Sequence, residues 1–316
     1  MKKVLALIGL MIVSASLFAQ ENPAAPASSQ EQLPLETRPI IVRTDLVNVL
    51  FTVTDKKNRM VLNLTKDDVR VMEDRKAQSV ENFSRESDLP LRIAILVDTS
   101  NSVRDRLRFE QEAAIDFLTS TIRLNKDQAF VVSFDSEPQM LQDYTDNLEK
   151  LSEAIRSLQA GGGTALYEAV YFSAKEKMIF FPPPEPYLRR VMIIVGDGQD
   201  NQSVRTREEA LAMAQRGEVT IFTISTNRTG AERPGDKVLR RLAEETGGRA
   251  FFPFAASELA GDFREIAREL RSQYSLAYIS SNKAQDGTFR TITLHPRNKE
   301  YRVRAKNGYF APSQSQ

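Results

Sequence analysis

The sequence has no cysteine, no tryptophan and a single histidine, His295, among its 316 residues. Without cysteine the chain has no disulfide framework, thiolate nucleophile, cysteine-ligated zinc or iron–sulfur cluster. One histidine excludes His-rich zinc sites and leaves little scope for a histidine-based triad. The chain also lacks an excess of either charge, with 43 lysine and arginine residues against 42 aspartate and glutamate residues. A nucleic-acid-binding protein needs a strong basic excess, so no nucleic-acid partner is expected.

The first residues predict a targeting segment rather than part of the fold. Lys2 and Lys3 precede an uncharged apolar run, Val4 to Ala19, and this pattern predicts a secretory signal peptide over residues 1–19. The run is shorter than the roughly 20 residues that a spanning helix needs, which favours cleavage over a retained anchor. We therefore expect a secreted or periplasmic protein with no transmembrane segment in the mature chain. Residues 20–39, rich in Pro, Ala, Ser, Gln and Glu, predict a disordered linker.

Two β-rich segments flank the middle of the chain. In residues 40–89 apolar residues alternate with polar ones from Thr44 to Thr54, and short apolar runs separated by turns follow. Residues 275–312 contain further strand-like runs, with Asp286-Gly287 as a hairpin signal. Each flank is too small for a core of its own. We therefore predict that the two flanks together build one small β-sandwich, with the middle of the chain inserted between them.

The middle, residues 90–274, alternates continuous apolar runs with amphipathic helical patterns. Strands that are apolar on both faces and joined by helices indicate a mainly parallel sheet covered on both sides, which is a doubly wound α/β fold. The expected strands are Leu91 to Val97, Ala129 to Phe134, Val191 to Val195, Val219 to Ile224 and Ala250 to Phe254. The last helix is expected from Ser257 to Tyr274, with an apolar face formed by Leu259, Phe263, Ile266, Leu270 and Tyr274.

Polar side chains gather in three loops of this middle part. In open α/β sheets the ligand site lies beyond the carboxyl ends of the strands, near the switch point of the strand order. The loops offer two carboxylates and three hydroxyls, an all-oxygen set that favours Mg²⁺ or Mn²⁺ over Ca²⁺. With waters completing the shell, one coordination position can remain open for an acidic group of a partner. The predicted metal-binding residues are Asp98, Ser100, Ser102, Thr164 and Asp197.

This set resembles the metal-ion-dependent adhesion site (MIDAS) of von Willebrand factor type A domains. D-x-S-x-S at Asp98 to Ser102, Thr164 in a Gly-Gly-Thr loop and the later Asp197-Gly198 follow one another in the order of that site. The resemblance covers Leu91 to Tyr274 and implies a Rossmann-like fold that binds protein partners. It also implies that the three hydroxyls contact the metal directly, that the two aspartates act largely through water, and that a partner's Glu or Asp fills the last position.

Motifs in the flanks resemble those of a secreted bacterial VWFA-related family, often called the acidobacterial type. That resemblance implies architecture more than function. The motifs are Leu64 to Val69 and Met72 to Asp74 before the middle part, and Asp286 to Arg290 and Gly308 to Phe310 after it.

We interpret the chain as a secreted, metal-dependent protein-binding module in adhesion or envelope assembly, and not as an enzyme. One alternative is a metal-assisted hydrolase with Asp98 as nucleophile. A phospho-aspartyl nucleophile is usually followed two residues later by a second Asp, and here that position is Ser100. A second alternative is a purely structural envelope scaffold in which the metal serves only stability. A nucleotide-binding Rossmann fold is disfavoured because no G-x-G-x-x-G follows the first strand of the middle part.

Overall fold

The predicted signal peptide and linker, residues 1–19 and 20–39, lie outside the residues that the structure describes. Among the described residues, no helix combines the length and the apolar character needed to cross a membrane. All of the described residues belong to one compact unit, Thr44–Gln316. The computed structural model describes residues 46–85, 88–180, 188–227, 231–255 and 258–313.

Strands and helices alternate through the middle of the chain, with strands alone at both ends. The strands are β1 (Leu46–Thr54), β2 (Val69–Glu73), β3 (Lys76–Gln78), β4 (Val80–Arg85), β5 (Leu91–Asp98), β6 (Gln128–Phe134), β7 (Pro138–Thr145), β8 (Arg189–Gly196), β9 (Val219–Ser225), β10 (Ala250–Phe251), β11 (Tyr274–Ile279), β12 (Phe289–Pro296), β13 (Arg302–Ala305) and β14 (Gly308–Phe310). The α-helices are α1 (Leu107–Thr121), α2 (Leu148–Arg156), α3 (Leu166–Phe172), α4 (Arg207–Arg216), α5 (Pro234–Glu245) and α6 (Leu259–Leu270). A π-helical turn, Ser173–Ile179, continues α3.

A six-stranded sheet with the order β10-β9-β8-β5-β6-β7 forms the centre of the α/β part. All neighbours in it are parallel except β6 and β7, which pair antiparallel at one edge. From β5 the chain first adds β6 and β7 on one side and then returns to add β8 on the other. The switch point of the sheet therefore lies between β5 and β8, as expected for a doubly wound fold.

Helices cover both faces of this sheet. Alternate residues of β5 face opposite layers, so that Ile93 and Ile95 pack under α1, α2 and α6 while Ala94 and Leu96 pack under α3, α4 and α5. Every residue of β5 is buried, as the continuous apolar run predicts for a strand between two helical layers.

The two flanks form two antiparallel four-stranded sheets, in the orders β13-β1-β11-β4 and β14-β12-β2-β3. Each sheet combines strands from before β5 with strands from after α6. Their apolar faces share one core, in which Phe51 of β1 stacks on Tyr274 of β11 with ring centroids 5.4 Å apart. The predicted sandwich is thus present, and the α/β part is inserted in it. The limits of the parts as folding domains, at residues 90 and 274, stay a prediction.

Two local predictions are wrong, and the expected strand from Ala250 to Phe254 is shorter in the structure, Ala250–Phe251. The last helix ends at Leu270, and Tyr274 begins β11. The predicted helix was too long because the apolar spacing continues past the helix end to Tyr274, which is buried in the sandwich core. Asp286-Gly287 does not close a hairpin, since β11 and β12 lie in different sheets. Gly287, with φ of +68°, instead turns the chain as it crosses from one sheet to the other.

Candidate metal centre

The centre lies at the switch point, where β5 and β8 end side by side. Val97 pairs with Val195, so the next residues, Asp98 and Gly196, are neighbours at the carboxyl edge of the sheet. A Cβ atom on Gly196 would lie 2.8 Å from the Cβ of Asp98, so glycine at this position leaves the space that the aspartate needs. The end of β5 and the loops that follow the two strands together carry four of the five predicted metal-binding residues.

A line of oxygen atoms connects the loop after β5 to the loop after β8. The backbone N–H of Ser100 donates to Asp98 Oδ1 at 2.8 Å, and the Oγ atoms of Ser100 and Ser102 lie 2.8 Å apart. Ser102 Oγ donates in turn to Asp197 Oδ2 at 3.1 Å. The structure therefore brings the D-x-S-x-S side chains and Asp197 together.

Thr164 reaches the same edge through its backbone. Its N–H donates to Asn201 Oδ1 at 3.0 Å, and its carbonyl accepts from the N–H of Asn201 at 2.9 Å, so the loop after β8 binds it on both sides. The glycine loop before it is tied to the loop after β5, because the N–H of Gly161 donates to the carbonyl of Thr99 at 2.7 Å. Thr164 is buried beside these loops, and its role as a metal ligand, like that of the other four residues, stays a prediction.

The electrostatics of the centre fit a cation. Asp98 is fully buried, and within the described part of the chain its Oδ2 atom accepts no hydrogen bond. Burial, reinforced by the nearby Asp197 carboxylate, raises the pKa of Asp98 to about 6. A buried carboxylate oxygen that lacks a donor is unfavourable unless a positive charge lies beside it. Two carboxylates and three hydroxyls are the hard oxygen donors that divalent magnesium or manganese prefers.

Asp200, Asn201 and Ser203 also position the centre, and the sequence analysis missed them. Asp200 Oδ2 accepts from the N–H of Tyr167 at 2.8 Å, and Ser203 Oγ accepts from the N–H of Glu168 at 3.0 Å. These bonds satisfy free N–H groups in the first turn of α3, which follows Thr164. The Asp-x-x-Ser pattern indicates a turn, but its partners lie 33 and 35 residues earlier in the chain.

The Asp197 loop is fixed from its other side by two glycines. Gly198 has a φ of +73°, and a Cβ atom on it would lie 2.2 Å from the carbonyl oxygen of Gly235 at the start of α5. A Cβ atom on Gly235 would lie 2.1 Å from the carbonyl oxygen of Asp197. The backbones therefore approach more closely than any side chain allows, and this contact holds Asp197 in place.

Fold and site together define a Rossmann-like α/β protein with hydroxyl and carboxylate groups at the switch point. Residues 93–199, which include all five predicted metal-binding residues, match the family model of the von Willebrand factor type A domain. The chain contains a von Willebrand factor type A domain. Membership of the acidobacterial type, which the flanks suggest, stays a prediction.

The chain is also similar to individual proteins, and each match covers only part of this chain and only part of the other protein. In sequence the chain is similar to human von Willebrand factor A domain-containing protein 3B, with 26% identity over 167 residues, which is 51% of this chain and 12% of that protein. In fold it is similar to proximal thread matrix protein 1 from the mussel byssus, with a TM-score of 0.50 at 16% identity, over 70% of this chain and 50% of that one. The same mussel protein with a zinc-occupied MIDAS motif gives a TM-score of 0.50 at 17% identity, over 62% of this chain and 50% of that one. At these identities the mussel structures show a shared fold.

Proposed function

We propose that this protein is a secreted or periplasmic binding module that holds a divalent cation at its switch point and binds an acidic group of a protein partner. The observation that carries the proposal is the buried Asp98 carboxylate. Its Oδ2 atom accepts no hydrogen bond from the described residues, and it lies at one end of a line of hydroxyls that leads to a second carboxylate.

The proposed ligand set is Asp98, Ser100, Ser102, Thr164 and Asp197, with Mg²⁺ or Mn²⁺ as the cation. When bound, the cation would supply an electrophilic centre for a carboxylate of the partner. The chain's own groups make this possible because the three hydroxyls proposed to contact the cation directly are neutral and leave it electrophilic, while the two carboxylates act largely through water. The Ser100 N–H orients Asp98, and the Asn201 side chain fixes the backbone of Thr164.

The site favours binding over catalysis. Position 100 carries a serine whose hydroxyl lies 2.8 Å from Ser102 Oγ, and not a carboxyl group that could move a proton for an Asp98 nucleophile. The similarity to a mussel byssus protein with a zinc-occupied MIDAS motif supports a metal site of this kind, although the fold alone is shared at that identity. The proposed location outside the cytoplasm rests on the signal-peptide pattern in residues 1–19.

Calorimetric titration of the mature protein with magnesium or manganese chloride tests the site. We expect saturable binding by the wild type and a loss of at least about tenfold in affinity for Asp98→Asn and for Thr164→Val, since even outer-shell changes at metal sites typically cost about 10–100-fold. Thr164→Val keeps the shape of the side chain and removes its hydroxyl. Asp116→Asn, on the exposed face of α1, is the matched control and should bind like the wild type.

Three outcomes separate the interpretations. Equal binding by the wild type and Asp98→Asn would place the cation elsewhere and contradict the proposal. Binding that depends on Asp98 and raises only the melting temperature, with no cation-dependent binding of any acidic peptide, would favour the structural scaffold. Turnover of a phosphate ester that depends on Asp98 and on the cation would favour the hydrolase.

A further inference from the structure

Three phenylalanine side chains at the carboxyl edge of the sheet are open to solvent. The exposed fractions are 51% for Phe109, 40% for Phe252 and 68% for Phe254. Single exposed apolar residues are normal on a protein surface, so the case for an interaction surface rests on where these three lie relative to the metal centre. We call these three residues the phenylalanine rim.

The strand register places the rim at the level of the metal centre. One row of paired residues crosses β10, β9, β8 and β5: Phe251, Ile224, Val195 and Val97. Phe252 follows Phe251 at one end of this row, and Asp98 follows Val97 at the other end. Both residues therefore lie at the carboxyl edge of the sheet. Three strand spacings separate them, which is ~14 Å. Phe254 follows two residues later, before α6.

Phe109 lies on the same side of the metal centre as Phe252 and Phe254. Gln111 of α1 donates to backbone carbonyls at the end of α2, while Phe117 of α1 packs on Phe263 of α6 with ring centroids 5.3 Å apart. Residues 109 and 111 are roughly 200° apart around a helix, so Phe109 lies on the flank of α1 that faces away from α2 and toward α6. It belongs to the first turn of α1, which begins at the carboxyl edge.

Local contacts order two of the three rim residues, the ring of Phe252 and the backbone of Phe254. The Arg240 guanidinium lies 4.8 Å from the ring centroid of Phe252, and the N–H of Phe254 donates to the Glu258 carboxylate at 2.8 Å. Aromatic side chains that are already ordered lose little conformational entropy on binding, which is why such residues often dominate the energy of protein interfaces.

We propose that the partner presents two groups at once: a carboxylate to the cation and a large apolar side chain to the phenylalanine rim. This inference rests on the proposed function, because the carboxylate site is the fixed point from which the rim is reached. An extended chain advances about 3.3 Å per residue, so ~14 Å corresponds to about four residues. The recognised segment is therefore an extended peptide with a Glu or Asp and, three to five residues away, a Phe, Leu, Ile, Tyr or Trp.

A displayed library of random peptides with one fixed central Glu tests this inference. The mature protein selects from it in magnesium chloride and, separately, in chelator. We expect large apolar residues to be enriched three to five positions from the Glu in magnesium only. A selected peptide should bind about tenfold more weakly when its apolar residue becomes Ser, and also when the protein carries Phe252→Ser with Phe254→Ser or carries Phe109→Ser. Leu124→Ser, an exposed apolar residue between α1 and β6 at the opposite edge, is the control and should bind like the wild type.

The magnesium titration is run on every variant, so that a loss of peptide binding can be attributed either to the metal site or to the phenylalanine rim. Rim variants that bind magnesium normally and lose the apolar preference support the inference. Three results would overturn the inference and leave the metal site intact, provided that magnesium binding is normal. The selected peptides show no apolar preference, the rim variants show the same preference as the wild type, or no peptide is enriched in magnesium relative to chelator. Absence of magnesium binding by the wild type overturns the proposed function and the inference with it.

Discussion

At the scale of single residues, burial raises the pKa values of two carboxyl groups, fully buried Asp98 and half-buried Asp262, with different consequences. Asp98 is buried beside the Asp197 carboxylate at the proposed metal centre. Asp262 lies on α6, where burial, with further repulsion from Glu265, raises its pKa to about 6, and its Oδ2 atom accepts no hydrogen bond from the described residues. The first group has a proposed cation to neutralise it, whereas the second reduces the stability of the fold at neutral pH.

The sign of the Asp262 effect follows from proton linkage. The folded protein holds a proton on Asp262 up to a pKa of about 6, whereas the unfolded chain releases it near the ordinary value of 3.8. The folded state therefore binds more protons in this interval, and stability is lost as the pH rises through it. We expect Asp262→Asn to raise the free energy of unfolding by about 1–2 kcal/mol at about pH 7.5 and by much less at about pH 4.

Urea unfolding of the wild type and of Asp262→Asn at both pH values measures this difference. Asp116→Asn removes an exposed carboxyl group from α1 and is the control, for which no pH-dependent gain is expected. A gain for Asp262→Asn that is the same at both pH values would show that packing, and not the charge, is responsible.

Single residues also show how far the sequence could predict the site. Asp98 and Asp197 follow apolar strands directly, and parallel strands end at one edge, so their proximity could be inferred from order alone. Asn201 and Asp200 could not be identified in this way. Their roles depend on bonds to Thr164 and Tyr167, more than thirty residues away, and nothing in a local pattern specifies those partners.

At the scale of elements, the contact between the loop after β8 and the start of α5 decides whether Asp197 is correctly placed. Gly198→Ala would place a Cβ atom 2.2 Å from the Gly235 carbonyl oxygen at a φ of +73°. We expect this variant to lose about 2–4 kcal/mol of stability from strain and overpacking together. Its magnesium affinity should also fall, because Asp197 moves with the loop.

Gly161→Ala is a matched control for that variant. Gly161 belongs to another loop of the same centre, and a Cβ atom on it would meet no heavy atom within 4 Å. Thermal unfolding and magnesium titration of the two variants side by side make the comparison. Equal stability of the two variants would show that the loop after β8 moves freely enough to accept a side chain, and the rigid placement of Asp197 would then be wrong.

Predictability varies among the elements for physical reasons. The buried strands β5, β8 and β9 consist mostly of apolar residues, so their sequence alone indicates them. Strand β7 gives no such signal, because its half-buried edge position allows polar residues such as Gln139 and Gln142. The end of α6 was misplaced because Tyr274 continues the apolar spacing of the helix, although its ring belongs to a different core.

At the scale of the whole molecule, buried polar groups connect the two flanks to each other and to the α/β part. Glu73 of β2 accepts hydrogen bonds from the hydroxyls of Tyr278 at 2.8 Å and Tyr309 at 3.0 Å, which joins the first flank to the second. Glu269 of α6 is almost fully buried and pairs with Arg304 of β13. Such pairs link residues far apart in sequence, so a local sequence pattern does not reveal them.

The Glu269–Arg304 pair predicts how the parts unfold. Arg304→Ala leaves the buried Glu269 carboxylate without its cation, and we expect a loss of about 3 kcal/mol in the free energy of unfolding. If the α/β part and the sandwich unfold as one unit, hydrogen exchange should rise together in β1 and in α1. Adding Glu269→Gln should recover part of the loss, because the uncompensated charge is then removed.

Urea unfolding combined with hydrogen exchange by mass spectrometry tests this coupling. Arg302→Ala, two residues earlier in the same strand and exposed, is the matched control and should change the free energy of unfolding by less than about 0.5 kcal/mol. Faster exchange in β1 with unchanged exchange in α1 would mean that the sandwich unfolds independently of the inserted domain. The boundaries at residues 90 and 274 would then separate two folding units, and the ion pair would contribute to docking rather than to a common core.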